Sequence, residues 1–268
     1  MLKDITLGQF FPGKTPIHRL DPRTKLLLLV IYMVALFCAK WFVSYALVLV
    51  FLITATAVGR IPLRSMTRGL KPMLIFIILT AVLNLFYTRE GRLLFEWKFI
   101  HIYTKGVETA FFMVLRIMML ICGTFLLTYT TSPIALTDGL ESLLSPLKKL
   151  KVPVHELAMM MSIALRFIPT LIEETDKIMS AQKARGADFE TGSLVRRAKA
   201  LIPILVPLFV SAFRRADELA TAMECRCYHG GEGRTRLKVL RFASMDYVAL
   251  AIGVLLVAAV IVLRRFGL

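Results

Sequence analysis

Three groups of residues have types and spacings that could do chemistry. The first is Gly8-Gln9-Phe10-Phe11-Pro12-Gly13-Lys14-Thr15, which fits the P-loop pattern letter for letter. A P-loop needs a buried strand before it, a helix after it aimed at the phosphates, and backbone amides turned inward. Here few residues precede Gly8, Pro12 lacks an amide proton and Pro16 breaks the start of the required helix. The match reads as chance, and no ATP hydrolysis is expected of this chain. The second group is the thiols and imidazoles. Cys225 and Cys227 stand in C-x-C spacing without the second pair that a zinc site needs, while Cys38 and Cys122 lie in apolar blocks. His18, His101, His155 and His229 are scattered, with no Ser, His and carboxylate set. No catalytic residue, metal or cofactor is expected. The third group is arginine. Arg116 sits inside the apolar run 111–120, where a charge is costly and either functional or held by a neighbouring helix. Arg185 and Arg226 end two long helical patterns.

What must position these residues is a set of apolar blocks. The chain is 57% hydrophobic and only 19% charged, with a mean hydropathy of +0.70. Residues 26–41, 42–59, 72–87, 106–129 and 247–263 are uncharged enough to predict an all-α polytopic membrane protein with about five transmembrane helices. Several are shorter than the roughly 20 residues a span usually takes. Asp21-Pro22 reads as N-cap and first-turn proline of the first helix. No short apolar region of a secretion signal lies in residues 1–25. The net charge of +16 falls between the blocks and not in an aromatic-interleaved patch, which argues against a nucleic-acid partner. Lys14, Arg19, Arg23 and Lys25 before the first span, and Arg60, Arg64, Arg68 and Lys71 after the second, place the N-terminus in the cytoplasm. The mixed-charge stretch 89–105 then falls on the other side. Arg264 and Arg265 at the tail disagree with the orientation that five spans give.

The chain thus divides into three regions: residues 1–130 with four spans, 131–244 as a cytoplasmic insertion, and 245–268 with the fifth span. Within the insertion, 133–150 reads as a short amphipathic helix. Residues 154–185 form a long arm kinked at Pro169, and 193–225 a second arm interrupted at Pro203 and Pro207. The apolar centre of the second arm, 201–213, is flanked by Arg196, Arg197, Lys199, Arg214 and Arg215, which suits a membrane face or another subunit better than a span. Two further spans are the alternative. The arms end alike: Asp176 matches Asp217, Ala181 matches Ala222 and Arg185 matches Arg226, each 41 residues on (226 less 185). Singly, such arginines read as helix caps beside terminal carbonyls. Duplicated, Ala184-Arg185-Gly186 and Cys225-Arg226-Cys227 read as two docking points for two similar partners. Cys227 after the second arginine, where the first has Gly186, puts the left-handed cap there in doubt. Asn84 is expected to bond between helices. Met159, Met160 and Met161 are expected either to pack in a core or to offer an adaptable surface.

The sequence resembles the transmembrane T component of energy-coupling factor (ECF) transporters, the EcfT family. Pro12-Gly13-Lys14 followed by His18-Arg19-Leu20-Asp21-Pro22-Arg23-Thr24-Lys25-Leu26 is similar to that family's opening signature, and the motifs around Arg185 and Arg226 resemble its two coupling motifs. The resemblance implies a non-enzymatic coupling subunit of an ABC-type importer in a prokaryotic plasma membrane. Two long helices crossing in an X would dock into grooves on two ATP-binding cassette ATPase subunits. A separate membrane S component would capture a vitamin or metal ion. A partner-free secondary transporter using Arg116 is the alternative; it should show repeats among its spans and broken helices at the midplane.

Overall fold

The computed structural model describes residues 10–88, 93–97, 100–187, 189, 193–230 and 239–266. Expectations resting on residues before Phe10, on Arg89 or on the side chains of Arg196 and Arg197 lie outside these. In chain order the elements are α1 (Pro16–Arg19), α2 (Pro22–Cys38), α3 (Phe42–Gly59), α4 (Leu63–Leu70), a 3-10 turn (Lys71–Met73) and α5 (Leu74–Tyr87). Then come β1 (Leu93–Trp97), β2 (Ile100–Tyr103), α6 (Thr104–Thr130), α7 (Pro133–Leu144), a second 3-10 turn (Ser145–Leu150), α8 (Val154–Ala184), α9 (Leu194–Glu224) and α10 (Ser244–Phe266). The protein is a helical, polytopic membrane protein. Its described strands are one antiparallel hairpin between α5 and α6, where only a loop was expected.

The predicted spans are all helices, but their ends move. The first runs over Pro22–Cys38 and not 26–41, because the Asp21 carboxylate caps it by accepting from the Arg23 amide. Thr24 and Lys25, polar enough to have been left outside the block, are buried first-turn residues. At 17 residues α2 is about 26 Å long, short of a hydrocarbon core of about 30 Å. Five helices are long and apolar enough to cross a membrane: Phe42–Gly59, Arg64–Tyr87, Thr104–Thr130, Val154–Ala184 and Ser244–Phe266. The basic stretch before α5 is therefore helix that runs into it, and α8, expected outside the bilayer, also meets the length and composition of a span.

The described residues divide into two compact units, one built from 10–139 and 240–266, the other from within Leu140–Val239. The first is centred on α2, α3, α6 and α10. Tyr32, Ala35, Leu36, Tyr45, Val48, Met119, Leu256 and Val260 form its core. In lipid such packing rests on close fit more than on the hydrophobic effect, and small residues permit it. A side-chain carbon at Gly123 would meet the Tyr32 ring, and one at Gly253 would meet Leu28. By contrast α5 buries only Ile77 and exposes Leu74, Ile75, Phe76, Ile78, Leu79, Val82, Leu83 and Phe86, as a lipid-facing helix does.

In the second unit α8 and α9 each run for 31 residues. Pro203 and Pro207 do not interrupt α9, and α8 is likewise continuous through Pro169. Each proline removes one amide donor, and the turns on either side carry the helix across the gap. The expected helix 133–150 is helical only to Leu144 and continues as the 3-10 turn around Pro146.

Candidate functional site

The two arm ends share one backbone design. At the end of α8, the Gly186 amide donates to the Lys183 carbonyl at 2.9 Å and the Ala187 amide to Gln182 at 3.0 Å, with Gly186 left-handed at φ 86°. These are the two bonds of a Schellman cap, with Arg185 at the C-cap. After α9, the Cys227 amide donates to Glu224 at 2.8 Å and the Tyr228 amide to Met223 at 3.0 Å, with Cys227 at φ 56°. The cap doubted at Cys227 is therefore formed there, by Cys227 itself. A non-glycine residue in this region is strained by its side-chain carbon against the following carbonyl, by roughly 1–2 kcal/mol. Both arginines are exposed and point no charge into the fold. Ala184 and Cys225 before them are exposed as well.

The arms also fix how far apart these ends lie. Arg215 Nη2 donates to Glu174 Oε2 at 2.8 Å, and the Tyr228 hydroxyl donates to Met159 Sδ at 3.0 Å. Moving back along α8 thus means moving forward along α9, so the helices run antiparallel. Arg226 sits two residues before Tyr228, near the start of α8, whereas Arg185 lies 26 residues beyond Met159. That is about 39 Å of helix. Two similar tips lie at opposite ends of one antiparallel pair. Met160 and Met161 are exposed, while Met159 is half-buried as the acceptor for Tyr228.

The opening signature ties helix ends together in the other unit. The Phe11 amide donates to the Tyr129 carbonyl at 3.0 Å, and Lys25 Nζ donates to the carbonyls of His18 (3.2 Å) and Thr130 (2.8 Å). His18 Nε2 donates to the Phe11 carbonyl at 3.0 Å, and Nδ1 shares a 2.6 Å hydrogen bond with the Thr15 hydroxyl. Desolvation holds the His18 pKa below its usual value, ahead of the opposing hydrogen bond to Phe11. Asp246, which sequence reasoning passed over, is 1% exposed and accepts from the amides of Asp21 (2.9 Å) and Ala243 (2.8 Å). Its signal was there: an acid in the first turn of an apolar helix is a capping residue. The P-loop pattern begins outside the described residues, and its described part, from Phe10 on, leads through Thr15 into the four-residue α1.

Arg116 has structural partners. Its Nε donates to the Tyr45 hydroxyl at 2.9 Å and Nη2 to the Ala39 carbonyl at 3.2 Å, and its guanidinium lies over the rings of Phe37 and Tyr45. Ala39 is the C-cap of α2. The charge thus leaves mid-helix and reaches the α2–α3 turn. Asn84 bonds the Thr80 carbonyl of its own helix rather than a neighbour. Cys225 and Cys227 are exposed free thiols, and the described residues contain no cluster of metal-binding side chains. An apolar cavity of about 350 Å³ among α2, α3, α6 and α10 has Lys25, Thr54 and Thr130 as its main polar lining and no reactive pair.

Apolar helices long enough to cross a membrane, and two long helices with matched exposed arginine tips, are features expected of a membrane transport component. The comparisons with known proteins agree. Residues 13–237 match the family described as cobalt transport protein (CbiQ). The energy-coupling factor transporter transmembrane protein EcfT of Clostridium kluyveri is 55% identical over 265 residues, covering 98% of both chains. Its namesake in Thermosediminibacter oceani is 57% identical over 260 residues, covering 97% of this chain and 98% of the other. That of Bacillus subtilis is 48% identical over 264 residues, covering 98% of this chain and all of the other. The chain belongs to the EcfT family, and is a multi-pass protein of the prokaryotic plasma membrane.

Proposed function

We propose that this chain couples two ATP-binding cassette ATPase subunits to a membrane S component, for uptake of a vitamin or metal ion. ATP-driven closure of the ATPases moves the docked ends at Arg185 and Arg226. The arms turn or bend, and their membrane-facing surface tilts the S component to release substrate. Arg185 with Ala184 and Gly186, and Arg226 with Cys225 and Cys227, are the docking residues, each guanidinium donating charge-assisted hydrogen bonds in an ATPase groove. On this reading residues 131–244 are the coupling region and face the cytoplasm, between the four-span region 1–130 and the last span in 245–268. The observation that carries it is the duplication of an exposed, Schellman-capped arginine tip at opposite ends of α8 and α9. A single exposed arginine in the last turn is accounted for by the helix dipole; its repetition in the same capped setting on both arms supports docking.

The test is capture of the ATPase subunits from membranes by the tagged chain. Arg185→Ala and Arg226→Ala should each weaken capture by about 2–5 kcal/mol if the charge is desolvated on docking. The double variant should abolish uptake while retaining S-component association and normal insertion. Wild-type uptake by the double variant would reduce the arginines to caps.

A further inference from the structure

The ion pair at the centre of the arms joins repeat-equivalent positions: Glu174 and Arg215 are 41 residues apart, the same offset that relates Arg185 to Arg226. Where two similar helices meet about an approximate two-fold axis, the residue at the axis faces its own counterpart. Faithful copies would set like charges together there. This sequence inverts them: Glu173 and Glu174 become Arg214 and Arg215, and Lys177 becomes Glu218, while Asp176, Ala181 and Arg185 keep their types. The Ser211 hydroxyl adds a hydrogen bond to Glu174.

We propose that the Glu174–Arg215 pair is a positioning lock that fixes the register of α8 against α9, and with it the span between the two arginine tips. The functional meaning of that span rests on the coupling role proposed above. The inverted charges make the register selective. A one-turn slip in one direction sets Glu174 against Glu218 and Lys177 against Arg215, both repulsive. A slip the other way leaves Glu174 beside Ala212 and Arg215 beside Leu171, with neither charge paired. The lock is also centred. Each docking arginine lies 11 residues beyond its member of the pair, about 16 Å of helix, in opposite directions. Pro169, Pro203 and Pro207 all precede the pair in their helices, so the stretches between lock and tips contain no proline. Tip displacement reaches the lock through stiff levers, and bending is left to the proline-bearing halves.

The experiment measures the tip-to-tip distance in the full-length chain in lipid nanodiscs. Nitroxides are placed at Ala184→Cys and native Cys225, with Cys38→Ser, Cys122→Ser and Cys227→Ser removing the other thiols, and pulsed electron paramagnetic resonance gives the distribution. The parent should show one narrow distance on the order of 30–40 Å. Glu174→Arg should broaden it or shift it by about one turn, roughly 5 Å. Glu174→Arg with Arg215→Glu should restore the narrow peak, which a merely disrupted fold would not. If Glu174→Arg fails to accumulate, Glu174→Gln is read in the same way, with broadening expected. A parent-like distribution in the single variant, or a double variant as broad as the single, overturns the lock. ATPase capture is tested in parallel on the tagged chain with its natural residues at 184, 225 and 227, with and without Glu174→Arg. Failure of the natural chain to capture would overturn the coupling role and leave the distances to judge the lock; normal capture with unchanged distances in Glu174→Arg would overturn the lock only.

Discussion

The two units use charge in opposite ways. In the membrane unit Asp21, Lys25, Asp246 and Arg116 all end on partners within the unit, most of them backbone groups at helix ends. In the arm unit the charge at the centre is paired, and the charges at the tips are exposed. An ion whose acceptors are all internal holds a fold together. One that a well-formed cap carries outward is accessible to a partner, as the proposed docking requires. The same residue type, arginine, plays both parts at 116 and at 185 and 226.

The contrast breaks most visibly at Asp246. Replacing it with alanine leaves the amides of Asp21 and Ala243 without their acceptor and removes a carboxylate near buried Lys25. Breaking a buried charged contact in this way costs about 3–5 kcal/mol. Unfolding of the detergent-solubilised chain should show it, with ATPase capture by the surviving folded fraction unchanged. Arg116→Ala should cost about 2 kcal/mol, the loss of two hydrogen bonds from a charged donor. It too should spare capture; uptake abolished at full stability would instead make Arg116 part of the transport path. On the other side of the comparison, Arg185→Ala and Arg226→Ala should change stability by no more than about 0.5 kcal/mol, as exposed substitutions do.

Smaller still are the effects that tell the two tips apart. Cys227→Gly should relieve left-handed strain and stabilise the end of α9 by about 1 kcal/mol, seen as slower amide exchange over Thr221–Tyr228, while Gly186→Ala should do the reverse at the end of α8. The least effect expected is that of acid on the opening segment. His18 has its folded pKa depressed below 6.5, so the unfolded chain binds the proton more readily. Its contribution is complete above about pH 6.5 and is lost as pH falls through the lower folded value. Proteolytic nicking near Phe11 should rise over that range and be blunted in His18→Gln.

Much of this was legible in the sequence. Uncharged blocks gave the helices because lipid leaves a spanning backbone few other options, and Asp21-Pro22 marked the start of α2 correctly. The offset of 41 found both tips, since a duplicated motif needs no tertiary knowledge to be seen. Three-dimensional partners were not legible. Arg116 reads as mid-membrane until Ala39 and Tyr45 are known to lie within reach of its side chain. Asp246 looked like one more acid beside an apolar block. Cys227 was doubted because local preference favours glycine, yet two backbone bonds to Met223 and Glu224 hold it in place. The prolines of α9 suggested a break because local rules cannot weigh the helix on either side.

The reach of Arg116 to the α2–α3 turn has a consequence for the order in which the chain is built. An arginine midway along α6 is poorly soluble in hydrocarbon by itself, and its acceptors, Ala39 and Tyr45, belong to segments made some seventy residues earlier. When α6 leaves the insertion machinery, a hairpin of α2 and α3 already in place offers the guanidinium a carbonyl, a hydroxyl and two aromatic faces. The N-terminal hairpin is in this sense a template for a helix made after it. Weakening it with Tyr45→Phe should slow α6 integration during synthesis more than it lowers the stability of the finished protein.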